Sequence, residues 1–213
     1  MTELTARRAA TRDRLVEAAV VVFAEKGVLG ASVEEICEAA GYTRGAFYSN
    51  FTSKDDLCVA LLQRNYEQQM AALEKALCGI GEPTGTRLDD LIARALDMFF
   101  AAQPAGRHWV LAGQELRLNA ARSPEFAAEY RRFHDQGIAR VAETIQQVLH
   151  ALGHELVTSG TAAIGLLHAV HEYGTLGSLI GSDTLEGGYK ERLLAEVLRT
   201  LIRPAEVSST SDR

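Results

Sequence analysis

Between Ser32 and Leu57 the chain reads SVEEICEAAGYTRGAFYSNFTSKDDL, a run that holds two helix starts, a tight turn and the restart of a further helix. Ser32 with Glu35 three residues on is a capping box, the hydroxyl taking a free amide of the first turn while the carboxylate reaches back. Val33, Ile36, Cys37 and Ala40 follow at the spacing of one helical face, and Gly41 stands where a left-handed C-terminal residue is wanted. Thr43 caps a second, short helix in which Phe47 and Phe51 form a buried i,i+4 pair, with Gly45 and Ala46 leaving one flank bare. Two short helices joined by a glycine-containing turn make a helix-turn-helix, whose second helix sets its N-terminal residues on base edges in the DNA major groove. Ser53 and Asp56 restart a helix with Lys54 in its first turn. The helix dipole disfavours a cation there unless an anion is near, and a DNA phosphate would be one.

From Ala40 to Leu57 these residues follow, almost without a break, the pattern Ala-Gly-Val-Ser-x-Gly-x-x-Tyr-x-x-Phe-x-Ser-Lys-x-x-Leu, and so resemble the TetR-type bacterial transcriptional regulators. Tyr42 stands where a smaller apolar residue is common, Cys37 where alanine is common, and Ser49 with Asn50 where histidine or an aromatic often occurs. The resemblance is specific over about the first quarter of the chain and beyond that rests on length and helical pattern. With the helix from Thr43 in the major groove, Arg44 is the donor for a guanine edge, Thr43 and Phe47 lie near bases, and Tyr48, Ser32, Asn50 and Lys54 lie on phosphates, with Tyr42 at the duplex edge.

Charge fits a sequence-specific binder better than a nonspecific coat, since the net charge is −6. Residues 1–54 hold seven Lys/Arg against seven Asp/Glu, whereas the remainder holds 15 against 21, so a neutral DNA-facing part precedes an acidic body. Cys37, Cys58 and Cys78 are odd in number and lack a close pair, which suggests neither a disulfide framework nor zinc. No secretory leader is visible in Met1 to Ala10, and the most apolar run, Thr161 to Gly181, is broken by His168, His171 and Glu172. A cytoplasmic protein without a membrane partner is expected.

Taken in order, Thr2 to Ala10 is polar and reads as loose, and Arg7, Arg8, Arg12 and Arg14 form either a solvated end or an arm that touches phosphate or minor groove. Thr11 to Lys26 reads as a helix that braces the helix-turn-helix, with Gly27 just past its end. Ser53 to Leu77 is one long amphipathic helix of about 37 Å. Gly79 to Gly85 is a linker, and Thr86 opens a helix that Pro104 closes. Helices then follow from Arg107 to Ala121, from Ser123-Pro124 to Leu152, from Thr158 to Ile180 and from Gly188 to Arg203, and after Pro204 the tail reads as disordered. No strand alternation stands out, so the fold class is all-α: an N-terminal three-helix helix-turn-helix domain (1–52), a helical effector-binding and dimerisation domain (53–203) and a tail (204–213).

Chemistry is thin. His168, His171 and Glu172 share a helix, but not in a His-Glu-x-x-His order, and neither a nucleophile elbow nor a phosphate loop occurs, so no metal, cofactor or catalytic residue is assigned. The resemblance implies a small-molecule effector in an apolar cavity, for which Phe99, Phe100, Trp109, Phe133, His134 and His168 are the candidates. It also implies a twofold homodimer built from the last two helices, with Thr161, Gly165 and Ala169 on a small-residue face and Leu194, Leu198 and Leu201 on a wide apolar one. The expected function is a ligand-responsive regulator, a repressor that binds a palindromic double-stranded operator as a dimer and is released by a small lipophilic or aromatic effector. A helix-turn-helix protein with a constitutive, non-sensing C-terminal domain and a small helical enzyme are the other readings the residues leave.

Overall fold

The computed structural model describes residues 3–78, 88–101, 103, 106–181 and 189–205. Among these the chain is nearly all helical: α1 Glu3–Gly30, α2 Val33–Ala40, α3 Arg44–Tyr48, α4 Lys54–Cys78, α5 Leu88–Ala101, α6 Arg107–Arg122, α7 Pro124–Ala151, α8 Gly160–Leu179 and α9 Tyr189–Leu201, with short strands β1 His154–Leu156 and β2 Ile202–Pro204. No helix among the described residues is long and apolar enough to cross a membrane.

Contacts divide the chain into two compact units, residues 1–68 with 104–134, and residues 69–103 with 135–213. Residue 52, the boundary expected from the sequence, lies inside the first of these units. In the first unit α6 buries Ala112, Leu116 and Ala120 in the same core as Leu15, Ala19 and Phe23 of α1, so the helix-turn-helix shares its support with a helix far along the chain. Phe47, Phe51, Leu57, Cys58 and Leu61 complete that core. Burial pushes the Cys58 thiol up to about 12 and, with Glu34 close by, also raises Cys37, so both behave as small apolar residues rather than as thiolates.

α1 begins at Glu3 rather than Thr11, so the expected loose arm is helix instead. Its turns stop at Gly27, whose backbone (φ 74°, ψ 160°) is one that side chains rarely tolerate. Glu115 of α6 sits against this break, its carboxylate accepting from the Val28 amide at 3.4 Å, and a Cβ on Gly27 would come within 2.8 Å of Glu115 Oε2. The chain turns there toward α2.

In the second unit Ile92, Leu96 and Phe99 of α5, Ile145 and Leu149 of α7, Ile164 and Leu167 of α8, and Leu194 and Leu198 of α9 form one core. α8 starts two residues later than expected, capped by Ser159, whose Oγ accepts from the Ala162 amide at 3.2 Å. Gly160 brings it close to α7, since a Cβ there would lie 2.9 Å from that of Ala142. The expected absence of strands is corrected by one antiparallel pair, with Glu155 opposite Arg203 and Leu156 opposite Ile202. Three residues with no alternation of their own carry too little pattern to be read as a strand, and Arg203, expected to end a helix, lies in it. The linker at Gly79 to Gly85, the stop at Pro104 and the tail beyond Ala205 lie outside the described residues.

Candidate nucleic-acid interface

The helix-turn-helix is built by the local chemistry expected of it. Ser32 Oγ accepts from the Glu35 amide at 3.2 Å while Glu35 Oε2 accepts from the Ser32 amide at 2.9 Å, closing the capping box. Lys26 first, then the backbone and hydroxyl of Ser32, hold the Glu35 carboxyl down to about 2. Gly41 closes α2 in the left-handed conformation (φ 72°), and Thr43 Oγ1 accepts from the Ala46 amide at 3.3 Å to open α3.

With Phe47 and Phe51 buried behind it, their rings 5.5 Å apart, α3 turns its opposite side outward. Thr43, Arg44 and Tyr48 are exposed on that side. Arg44 pairs with Glu34 at 2.6 Å, and its guanidinium lies 5.8 Å from the Tyr48 ring. An exposed arginine on the first turn of a helix backed by core, beside a tyrosine hydroxyl, can form a two-pronged donor to a guanine edge and a neighbouring phosphate contact.

Several residues expected to touch DNA are engaged within the fold. Phe47 is fully buried and cannot lie near bases, because the i,i+4 pairing with Phe51 takes it inward. Tyr42 packs partly against the same core. The Asn50 side chain turns back on α3, Nδ2 donating to the Ala46 carbonyl at 2.8 Å, and among the described residues its Oδ1 is buried without a hydrogen-bond partner. Ser32 Oγ is spent on the capping box, donating also to Glu35. Lys54 Nζ donates to the Val28 and Ala31 carbonyls at 2.6 and 2.8 Å, whose partial negative charge offsets the unfavourable place of a cation at a helix start.

Two of the N-terminal arginines, expected to form either a solvated end or an arm on DNA, bear on this surface. Arg8 donates to the Ser49 carbonyl at 3.0 Å and Arg12 to the Asn50 carbonyl at 3.1 Å, just after α3. Their four-residue spacing in the sequence, one helical turn, was the available signal.

The residues expected around an effector fall in both units. Phe99, Phe100 and His168 lie together in the second, with Phe99 5.2 Å from the His168 ring and 5.5 Å from His171, which the expected set had omitted. His171 is held down to about 4, first by burial and then by Lys190 and His168, and its Nδ1 is buried without a hydrogen-bond partner among the described residues. Trp109 and Phe133 pack on the core of the first unit instead. His134 is exposed and stacked on Tyr130, their rings 5.8 Å apart.

Of the residues expected between subunits, Leu194 and Leu198 are buried in their own chain's core and Leu201 is half-buried. Thr161 and Ala169 are exposed, and Gly165 has nothing within 4 Å of where a Cβ would stand. Leu166 and Tyr173, seven residues apart on α8, and Ile180, the residue that caps its end, are 45%, 70% and 82% exposed.

Residues 15–61 match the family model described as bacterial regulatory proteins, tetR family. An uncharacterized HTH-type transcriptional regulator, YwcC, of Bacillus subtilis is 41% identical over 58 residues, a match spanning 27% of this chain and 26% of that one. Over most of its length the chain has the fold of a candidate TetR-family transcriptional regulator from Rhodococcus sp. (TM-score 0.72, 18% identity, 91% of this chain and 99% of the other). It has the same fold as FadR from Bacillus subtilis, solved in complex with stearoyl-CoA (TM-score 0.69, 16% identity, 88% of this chain and 98% of the other).

Proposed function

We propose that this chain, which carries the DNA-binding domain of the TetR family of bacterial regulatory proteins, is a ligand-responsive repressor that binds a palindromic operator as a homodimer. The observation that carries this is Arg44, exposed on the first turn of α3 while Phe47 and Phe51 anchor the back of the helix in the core. That arrangement presents a donor to base edges from a rigid support.

A second copy of this chain is the partner for exposed Leu166 and Tyr173, which share one face of α8, and for Ile180 just past its end. Such a dimer would offer two α3 helices to half-sites about 34 to 36 Å apart. The effector reading is supported by the aromatic cluster of Phe99, Phe100, His168 and His171, with an unpaired ring nitrogen for one hydrogen bond. It suits a lipophilic or aromatic compound with one polar group. Binding lowers operator affinity only if the compound favours a state in which α3 is misplaced, and a coupling of about 1 to 3 kcal/mol suffices for a 5- to 150-fold change.

The test is selection of random duplexes by the purified protein, followed by footprinting and by release assays with aromatic and acyl compounds. Enrichment of a two-half-site palindrome, and its release by a compound that loses effect in Phe99→Ala, is the expected result. Selection that enriches no sequence ends the reading.

A further inference from the structure

We propose that Arg8 and Arg12 are positioning residues for operator recognition, which clip the exit of α3 to α1 and so set the pitch at which Arg44 meets the bases. The inference rests on the DNA-binding reading and goes beyond it.

A helix as short as Arg44–Tyr48 has few hydrogen bonds of its own, and its last carbonyls depend on the residues just after it: Ala46 accepts from Ser49 Oγ and Asn50 Nδ2, and Phe47 from the Asn50 and Phe51 amides. Two of the carbonyls that follow it are taken from outside: Arg8 Nη2 donates to Ser49 at 3.0 Å and Arg12 Nη1 to Asn50 at 3.1 Å. Arg12 is held further, with its guanidinium carbon 4.4 Å from the centre of the Phe51 ring, and Phe51 belongs to the core. A planar guanidinium can stack on a ring and donate in its own plane at once, which an ammonium cannot. The cations also face the negative end of the α3 dipole, where charge is favourable.

The other end of α3 is fixed by the Thr43 cap and the turn at Gly41. Its start is therefore set by α2 and its exit by α1. Since α3 is only about 7.5 Å long, a small swing of the exit tilts the whole helix and displaces Arg44 from a bidentate geometry. A role in positioning differs from phosphate contact in what it changes. Loss of a phosphate contact weakens every duplex and lowers the salt slope by about 0.9. Loss of pitch weakens the chosen duplex alone.

The experiment compares wild type with Arg8→Gln, Arg12→Gln and Arg12→Lys. The probes are the duplex that wild type enriches from random sequences and an unrelated duplex of equal length, each titrated across salt. Arg12→Gln is expected to bind the enriched duplex about 10-fold more weakly, with the unrelated duplex changed less than about 2-fold and the salt slope within about half a unit. Arg12→Lys should fail to restore discrimination, because it keeps the charge but not the stacked plane. In the free protein, amide exchange at residues 46–51 should quicken in both Gln variants, a readout that needs no DNA. Equal losses on both duplexes with a slope lower by about 0.9, or rescue by lysine, would make these phosphate contacts and overturn the proposal. Unchanged binding and exchange would overturn it as well. If Arg12→Gln does not fold, Arg8→Gln, at an exposed position, decides by the same criteria. Wild type that enriches nothing removes the DNA reading itself, whereas enrichment with unaltered discrimination in the variants removes only the clip.

Discussion

Arg44 Nη1 lies 2.6 Å from Glu34 Oε1, so the side chain best placed to read a base is already held by the helix ahead of it. The pair is exposed on both sides and costs little to break in water. Arg44→Ala should cost roughly 5- to 150-fold on the selected duplex and relax discrimination at one position. Glu34→Gln, which removes the competing carboxylate, should raise affinity for any duplex about 2- to 5-fold by fluorescence anisotropy. Weaker binding by Glu34→Gln would mean that the carboxylate orients Arg44 rather than competing for it.

Lys54→Met separates two roles for the same cation. Its Nζ satisfies the Val28 and Ala31 carbonyls, so the substitution should destabilise the fold by about 1 to 3 kcal/mol, seen in thermal or urea unfolding. The salt slope of DNA binding should stay within about half a unit of wild type. A slope lower by about one, with unfolding unchanged, would return Lys54 to the phosphate backbone.

Local chemistry made the helix-turn-helix legible: Ser32 with Glu35, Gly41 and Thr43 each act within four residues of themselves, and all do what their spacing implies. What was not legible lies at long separation. Lys54 reaches carbonyls 26 and 23 residues back, and Arg8 one 41 residues ahead, through contacts that exist only once α1, α2 and α4 have packed. Phe47 is a different case, because its i,i+4 relation to Phe51 already placed it in the core and conflicted with a place near bases. α9 misled for want of one fact: Leu194 and Leu198 complete the core of their own unit, which a helix's apolar width cannot distinguish from an interface.

His171 gives a pH prediction with a definite sign. Burial, then Lys190 and His168, lower it from the ordinary 6.5 to about 4, so the unfolded chain binds a proton that the fold refuses. Its contribution is full above about pH 6.5 and is lost as pH falls toward about 4, amounting to about 2 kcal/mol after allowance for solvent screening. Melting at about pH 7.5 and about pH 5 should show a smaller acid loss for His171→Gln than for wild type. Identical acid losses would place the titration elsewhere.

Assembly is tested by pairing a surface variant with a core one. Leu166→Glu combined with Tyr173→Glu alters only exposed positions of α8 and should sediment as a folded monomer. Leu198→Asp forces a carboxylate into a core position that is 2% exposed and should abolish cooperative unfolding rather than yield a monomer. A double glutamate variant that sediments like an associated wild type would move the interface away from this face.

The strand pair at the end of the second unit has an effect beyond its few hydrogen bonds. β1 follows α7 and β2 follows α9, with Glu155 and Arg203 facing each other in register and joined by a 2.7 Å ion pair. Everything from α8 to α9 is thereby a closed excursion whose two ends are fastened side by side. The chain-entropy cost of bringing them together is shared between this fastening and the core leucines of α9. A protein shortened just before Ile202 would keep every core leucine of α9 and still lose its latch, so α9 should fray from its C-terminal end while α8 stays protected.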